Sequence, residues 1–219
     1  MYGSNIYKFA VNGDALYPKS LRSPEVFGHL GHPDRLALLR NLRRIYIEVT
    51  PASDSKGHWV MERQRSRLEY LVEILKEHAD DHSQKSLLQE LMIDFKLPVI
   101  LSLHDSSRQR NTEKFMFGLE SLALLRGIKD VQFTGMPEWY AKCMQLSIQG
   151  KGGEVHETDW PLVQVKRPRN IKRSWSTRKA SRWASTREWY QPTLDWKEYA
   201  VRNNIPIPDD IDRFWAAES

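Results

Sequence analysis

Residues 120–140 read ESLALLRGIKDVQFTGMPEWY, and this stretch decides the fold. Leu122, Leu125 and Ile128 recur at helical spacing, and Gly127 sits where a helix stops. Val131 and Phe133 then alternate as a half-buried strand does. Thr134-Gly135 makes a turn, and Pro137 suits the first position of a following helix. The instruction is helix, strand, helix, with short joints.

The phrase recurs twice upstream. Leu38-Leu39-Arg40-Asn41-Leu42 runs into Ile45, Ile47 and Val49, and Leu87-Leu88-Gln89-Glu90-Leu91 runs into Ile93 and Phe95. The copies start at 38, 87 and 124, so their steps are 49 and 37 residues. Such an irregular period fits either a repeat stack or an ordinary α/β domain with similar helix-strand junctions. Both readings place the strands parallel in one sheet, because each is followed by a helix that crosses back. The expected fold class is therefore α/β: irregular helix-strand repeats forming one mainly parallel sheet. The expected division is a repeat-like domain over 1–150 and a basic, Trp-rich extension over 151–219.

Outward from this centre, Ile6 and Phe9 bracket a first strand, expected to lie at an open sheet edge. Ser23-Pro24 reads as a helix start, and a second short helix from about Asp34 delivers the Leu38-Leu39-Leu42 ridge. Residues 62–80 carry the longest expected helix, with Leu68, Leu71, Val72 and Leu75 as its buried stripe. Residues 97–103 are a strand or a buried connection, with Pro98 weighing against a central strand. Phe115, Leu119, Leu122 and Leu125 mark the next helix. Trp139, Tyr140, Cys143, Met144 and Leu146 line the one after Pro137. Residues 195–203 and 208–217 read as two short helices with acidic starts, offering Trp196, Tyr199, Ile211, Phe214 and Trp215 for docking.

With 219 residues, 40% hydrophobic and 28% charged, the chain can bury one substantial core beneath a polar surface. A single cysteine, Cys143, excludes an internal disulfide and suits a reducing compartment. No apolar run approaches the length of a membrane span, and the first residues lack the basic start and apolar stretch from which a signal peptide would be expected. Cytoplasm or nucleus is the expected location.

The net charge of +5 is local. Residues 166–188 hold nine Lys/Arg and one acid, a net +8, which leaves −3 on the other 196 residues. Lys166, Arg167, Arg169, Lys172, Arg173, Arg178, Lys179 and Arg182 form the candidate basic binding surface, interleaved with Trp175 and Trp183 and flanked by Trp160 and Trp189. Pro168 and the scattered Ser and Thr argue against a continuous helix through its first half. These cations either meet nucleic-acid phosphates, with the tryptophans stacking on bases, or stack on the tryptophans and pair with the acidic remainder.

Catalytic signatures do not assemble. His29 and His32 are separated by a helix-breaking Gly31, and Pro33 follows. His78 and His82 lack the glutamate placement of a zinc signature. Gly150-Lys151-Gly152-Gly153 has its lysine too early for a phosphate loop and reads as a helix cap and turn. Cys143 has no activating partner nearby in sequence and reads as a core thiol. No catalytic, cofactor or metal residue is assigned, and no cofactor is expected.

Four stretches carry a resemblance to fungal F-box-like proteins: YGSNIYKF at 2–9, RSRLEYLVEILKEHADD at 65–81, FMFGLESLALLRGIKDVQFTGMPEW at 115–139, and the tail phrases WYQPTLDWKEYAVRNNI and PDDIDRFWA. In such proteins the F-box-like helices lie upstream of the first of these strands, and this sequence starts at that strand. The resemblance implies the C-terminal, leucine-rich-repeat-like α/β part, which presents a surface to other proteins. It implies a non-catalytic interaction module with a protein partner. The alternative is a nucleic-acid-binding or nuclear protein acting through 166–187.

Overall fold

The computed structural model describes residues 6–12, 41–50, 57–76, 87–96, 113–158, 163–173, 176–186 and 192–214. Their elements run β1 (Tyr7–Asn12), β2 (Arg44–Thr50), α1 (Gly57–Lys76), β3 (Glu90–Phe95), a 3₁₀ helix (Lys114–Leu124) and β4 (Asp130–Thr134). Then follow α2 (Glu138–Ile148), β5 (Val163–Arg173), β6 (Ser176–Thr186), α3 (Trp196–Arg202) and a short 3₁₀ turn (Ile211–Phe214). The expected helices near residues 23 and 34, and the 97–103 segment, lie outside the described residues.

The repeated phrase builds one α/β sheet. Its order is β1-β2-β3-β4, with every neighbouring pair parallel. The register sets Phe9, Ile47, Ile93 and Phe133 in one row across the strands, and Ile45, Leu91 and Val131 in the next. Ile45, Ile47, Leu91 and Ile93 are essentially sealed from solvent. β1 is an end strand of this sheet, as expected of the first strand. Parallel strands covered on both faces read as continuous apolar runs. These strands alternate instead, so one face is core and the other carries polar residues.

α1 begins at Gly57, ahead of the expected Glu62, and has no acid in its first turn. Its stripe of Leu68, Leu71, Val72 and Leu75 is buried as expected.

The segment expected as an α-helix over 115–125 is a 3₁₀ helix, and it ends at Leu124 before Gly127 is reached. A 3₁₀ helix has three residues per turn, so residues i and i+3 eclipse. The burial follows that period. Met116, Leu119, Leu122 and Leu125 form one buried row, and Phe117, Glu120 and Ala123 form a second. Phe115 and Ser121 are half-buried and Leu124 is exposed along the outward row. The glutamate on an inward row is the unusual feature.

Gly135 turns the chain from β4 toward α2 at φ 77°. A Cβ there would fall inside contact distance of the Phe95 carbonyl oxygen, so only glycine fits. Pro137 stands at the N-cap of α2 rather than inside it. At the other end, Lys151 N–H donates to Leu146 O (2.8 Å) and Gly150 N–H to Ser147 O (3.0 Å). With Gly150 at φ 74°, this is a Schellman cap.

The C-terminal elements share the same core. Asp195 caps α3 by accepting from Glu198 N–H (2.9 Å). Trp196 and Tyr199 are sealed from solvent, and both are among the buried residues that include Tyr140 and Phe117. Tyr140 meets Trp196 edge-on at 5.3 Å between centroids, and Phe117 meets Phe214 at 5.6 Å. The core is thus continuous across the expected boundary at 150.

Candidate functional site

The polar face of the sheet is built by strand alternation. Residues one position off the buried rows form three ranks: Arg44, Glu90 and Asp130; Tyr46, Met92 and Gln132; Glu48, Asp94 and Thr134. Gln132 and Thr134 are exposed, and Tyr46, Met92 and Asp94 are half-buried. Facing strands lie about 4.8 Å apart, close enough for these side chains to bond across the ladder. Tyr46 Oη donates to Asp94 Oδ2 at 2.8 Å, and Thr134 Oγ1 donates to Asp94 Oδ1 at 2.8 Å. Lys96 Nζ donates to Glu48 Oε2 at 2.8 Å and lies 3.6 Å from Asp94. Arg44 Nε pairs with Glu90 at 2.5 Å.

These bonds fix the protonation of the face. Partial burial pushes the Asp94 carboxyl up, but the bonds from Thr134 and Tyr46 and the charge of Lys96 outweigh it and hold it below its ordinary value. The Glu48 bond raises Lys96, and the Glu90 bond raises Arg44. Asp94, Lys96 and Arg44 are therefore held in their charged forms at neutral pH. The face can present charges and hydrogen-bond groups to a macromolecule.

A second polar cluster is buried. Glu120, 3% exposed, accepts from Thr193 N–H (2.9 Å), Thr193 Oγ1 (2.8 Å) and the indole Nε1 of Trp196 (2.7 Å). Arg65 Nη2 of α1 lies 3.6 Å away, and its Nε bonds Glu69 at 3.1 Å. Burial pushes the Glu120 carboxyl up from its ordinary value, and Arg65, Thr193 and Trp196 oppose that. Every partner around it is a donor, as a carboxylate acceptor requires. Sequence reading passed over Glu120. The available signal was its place three residues after Phe117 and three before Ala123, on an inward row.

Glu120 also fixes the chain just after the basic segment, through Thr193. Thr158 N–H donates to Thr193 O (3.0 Å) and Asp195 N–H to His156 O (2.8 Å), around an antiparallel bridge between Glu157 and Leu194. The basic segment lies in sequence between these two bridged positions. Its two halves form β5 and β6, paired antiparallel from Val163↔Thr186 to Arg173↔Ser176 without a bulge. Opposed residues of such a pair share a face, and faces alternate along each strand. The eight expected binding residues therefore separate by type. Arg167, Arg169, Arg173, Arg178 and Arg182 occupy positions of one face, and Lys166, Lys172 and Lys179 occupy positions of the other, where Trp183 stands opposite Lys166. Pro168 is compatible with this ribbon because both of its strands are edges.

The remaining candidates resolve simply. Cys143 is buried in α2, and burial pushes its thiol up to about 12, the state of an inert core thiol. The 150–153 run is the cap of α2. Gly152 approaches α3 so closely that a Cβ would overlap Tyr199 and Asn203, and Tyr199 Oη donates to Lys151 O at 2.7 Å. His29, His32, His78 and His82, with Trp160, Trp175 and Trp189, lie outside the described residues. Among the described residues no group of three or more His, Cys, Asp or Glu could hold a metal ion, and no helix is long and apolar enough to cross a membrane. Comparison with protein families, with curated proteins and with solved structures finds no match to this chain.

Proposed function

We propose that this chain is a non-catalytic protein-interaction module whose contact surface is the polar face of the four-stranded sheet. The observation that carries the reading is a parallel sheet in sequential strand order with one buried and one polar face. Doubly wound α/β sheets cover both faces, whereas stacked repeats leave one face for binding. The resemblance to the C-terminal part of fungal F-box-like proteins points the same way.

Cross-strand bonds prearrange the Asp94 and Arg44 clusters, so little side-chain freedom is lost when a partner docks. Glu48, Glu90, Asp94 and Asp130 outnumber Arg44, Lys96 and Lys8, which the register of β1 adds to the Tyr46 rank. That balance suits a partner presenting amide, hydroxyl and basic groups. The test is capture from a lysate of the source cells at near-physiological salt. The wild-type chain is expected to retain a stoichiometric protein. A Met92→Glu/Gln132→Arg variant, altered at the centre of the face, is expected to lose it with unchanged thermal unfolding. Recovery of no partner, or a partner held equally by the variant, contradicts the reading.

A further inference from the structure

We propose that the arginine face of the β5–β6 ribbon is a second binding surface, and that it enters the major groove of double-stranded DNA. The sheet face described above plays no part in this inference. It rests on the pairing register of residues 163–186, which segregates five arginines from three lysines.

The segregation is the first argument. A segment that only needed solubility or a scattered positive charge would gain nothing from dividing its cations by type. Arginine presents a planar fork that meets phosphate or the guanine edge with two bonds, which lysine cannot do. A face holding only arginines among its cations is thus a face suited to directional anion recognition.

The second argument is local electrostatics. Arg167 stands directly opposite Arg182 in the register. Directly opposed like charges weaken a strand pair, and Arg169 lies diagonal to Arg182 on the same face. An anion between these positions would convert mutual repulsion into shared attraction. On this face the arginine positions run from Arg167 to Arg173, toward the end where the strands join, with Ile171 and Ala180 among them, while Val163, Val165 and Ala184 occupy the opposite end. The cationic part is therefore toward the end of the ribbon at which Arg173 pairs with Ser176.

The third argument is size. The major groove of B-form DNA is about 12 Å wide and admits a two-stranded antiparallel ribbon. Each strand has 11 residues. At ~3.4 Å per residue such a strand extends about 37 Å, close to one turn of the duplex. The major groove of A-form RNA is too narrow and deep for side chains to read, so the geometry favours DNA. With five phosphate or base-edge contacts, association would show strong counterion release.

The test uses the full chain and a fluorescent mixed-sequence DNA duplex in anisotropy titrations from 50 to 200 mM salt. Five cations on phosphate predict a slope of about −4.5 in log affinity against log salt, roughly a 500-fold loss over that range. Replacing Arg167, Arg169, Arg173, Arg178 and Arg182 with Gln is expected to remove the slope. Replacing Lys166, Lys172 and Lys179 with Gln is expected to change it by less than one unit. Unchanged thermal unfolding of both variants would show that the core of 113–158 and 192–214 is intact. If the arginine variant unfolds early, single Arg→Lys replacements keep the charge and are expected to weaken binding at constant slope. No binding at 50 mM salt, or equal losses in the arginine and lysine variants, overturns the proposal. So does equal binding of an RNA duplex, or equal competition by poly-glutamate.

Discussion

Replacing Glu120 with Ala removes the acceptor around which the C-terminal segment is folded. Three groups lose their partner: the Thr193 N–H, the Thr193 hydroxyl and the Trp196 indole. Trp196 is sealed from solvent, so its N–H finds no replacement in water. A buried donor left alone costs about 1–3 kcal/mol, and the half-buried Thr193 groups cost less because solvent can reach them. Arg65 also loses its nearest buried carboxylate, and breaking a buried charged pair typically costs about 3–5 kcal/mol in all. The expected loss is therefore about 3–5 kcal/mol, a large share of the roughly 5–15 kcal/mol that folds a typical domain. Glu120→Gln keeps one acceptor oxygen and should cost about 1–3 kcal/mol. Urea unfolding followed by circular dichroism measures both, with the midpoint falling and the slope unchanged. A double-mutant cycle with Trp196→Phe isolates the indole bond and should give a coupling above ~0.5 kcal/mol. An Ala loss below about 1 kcal/mol, or strictly additive effects in the cycle, refutes the argument that Glu120 anchors this segment.

Three further outcomes are expected. The Asp94 carboxyl sits below its ordinary value, so its stabilisation is complete above the usual carboxylate range near pH 4 and is lost as pH falls through its folded value. The urea stabilities of wild type and Asp94→Asn should therefore differ constantly from pH 6 to 8, by about 1 kcal/mol or less for a partly exposed group, and converge in acid. Cys143, buried with its thiol pushed up to about 12, should resist a thiol-reactive disulfide reagent at pH 8 until urea unfolds the chain. Gly135→Ala should lower stability by more than ~2 kcal/mol in urea unfolding, because it combines a left-handed backbone with a clash on Phe95.

The sheet was readable because its signal is local and repeated. Ile45-Ile47-Val49, Leu91-Ile93-Phe95 and Val131-Phe133 each follow a leucine phrase, and the crossing connections force them parallel. The same alternation held the polar face, since Arg44, Tyr46 and Glu48 fill the gaps between apolar residues. What pairs across strands was not readable, because Asp94 meets Tyr46 48 positions away and Thr134 40 positions away. The 3₁₀ helix was mistaken for an α-helix because leucines three apart satisfy both periods. Glu120 escaped notice for a related reason. A carboxylate on a helix is normally solvated, and its donors come from a segment 73 to 76 residues on. The β5–β6 ribbon sets arginines among Val163, Val165, Ile171, Ala180 and Ala184 on one face, so its period of two left only a weak hydrophobic trace.

The claim that one face of this sheet is open is tested most directly by cysteine labelling rates. Single cysteines would be placed at Met92 and Gln132 on the polar face, and at Ile93 and Val131 on the core face. Native Cys143 is expected to contribute no background. The structure predicts that positions 92 and 132 react with a maleimide in the native state within about tenfold of the unfolded rate, and that positions 93 and 131 are protected at least a hundredfold, consistent with core opening being rare. Protection of positions 92 and 132 equal to that of 93 and 131 would show the face covered, and would contradict its assignment as the binding surface.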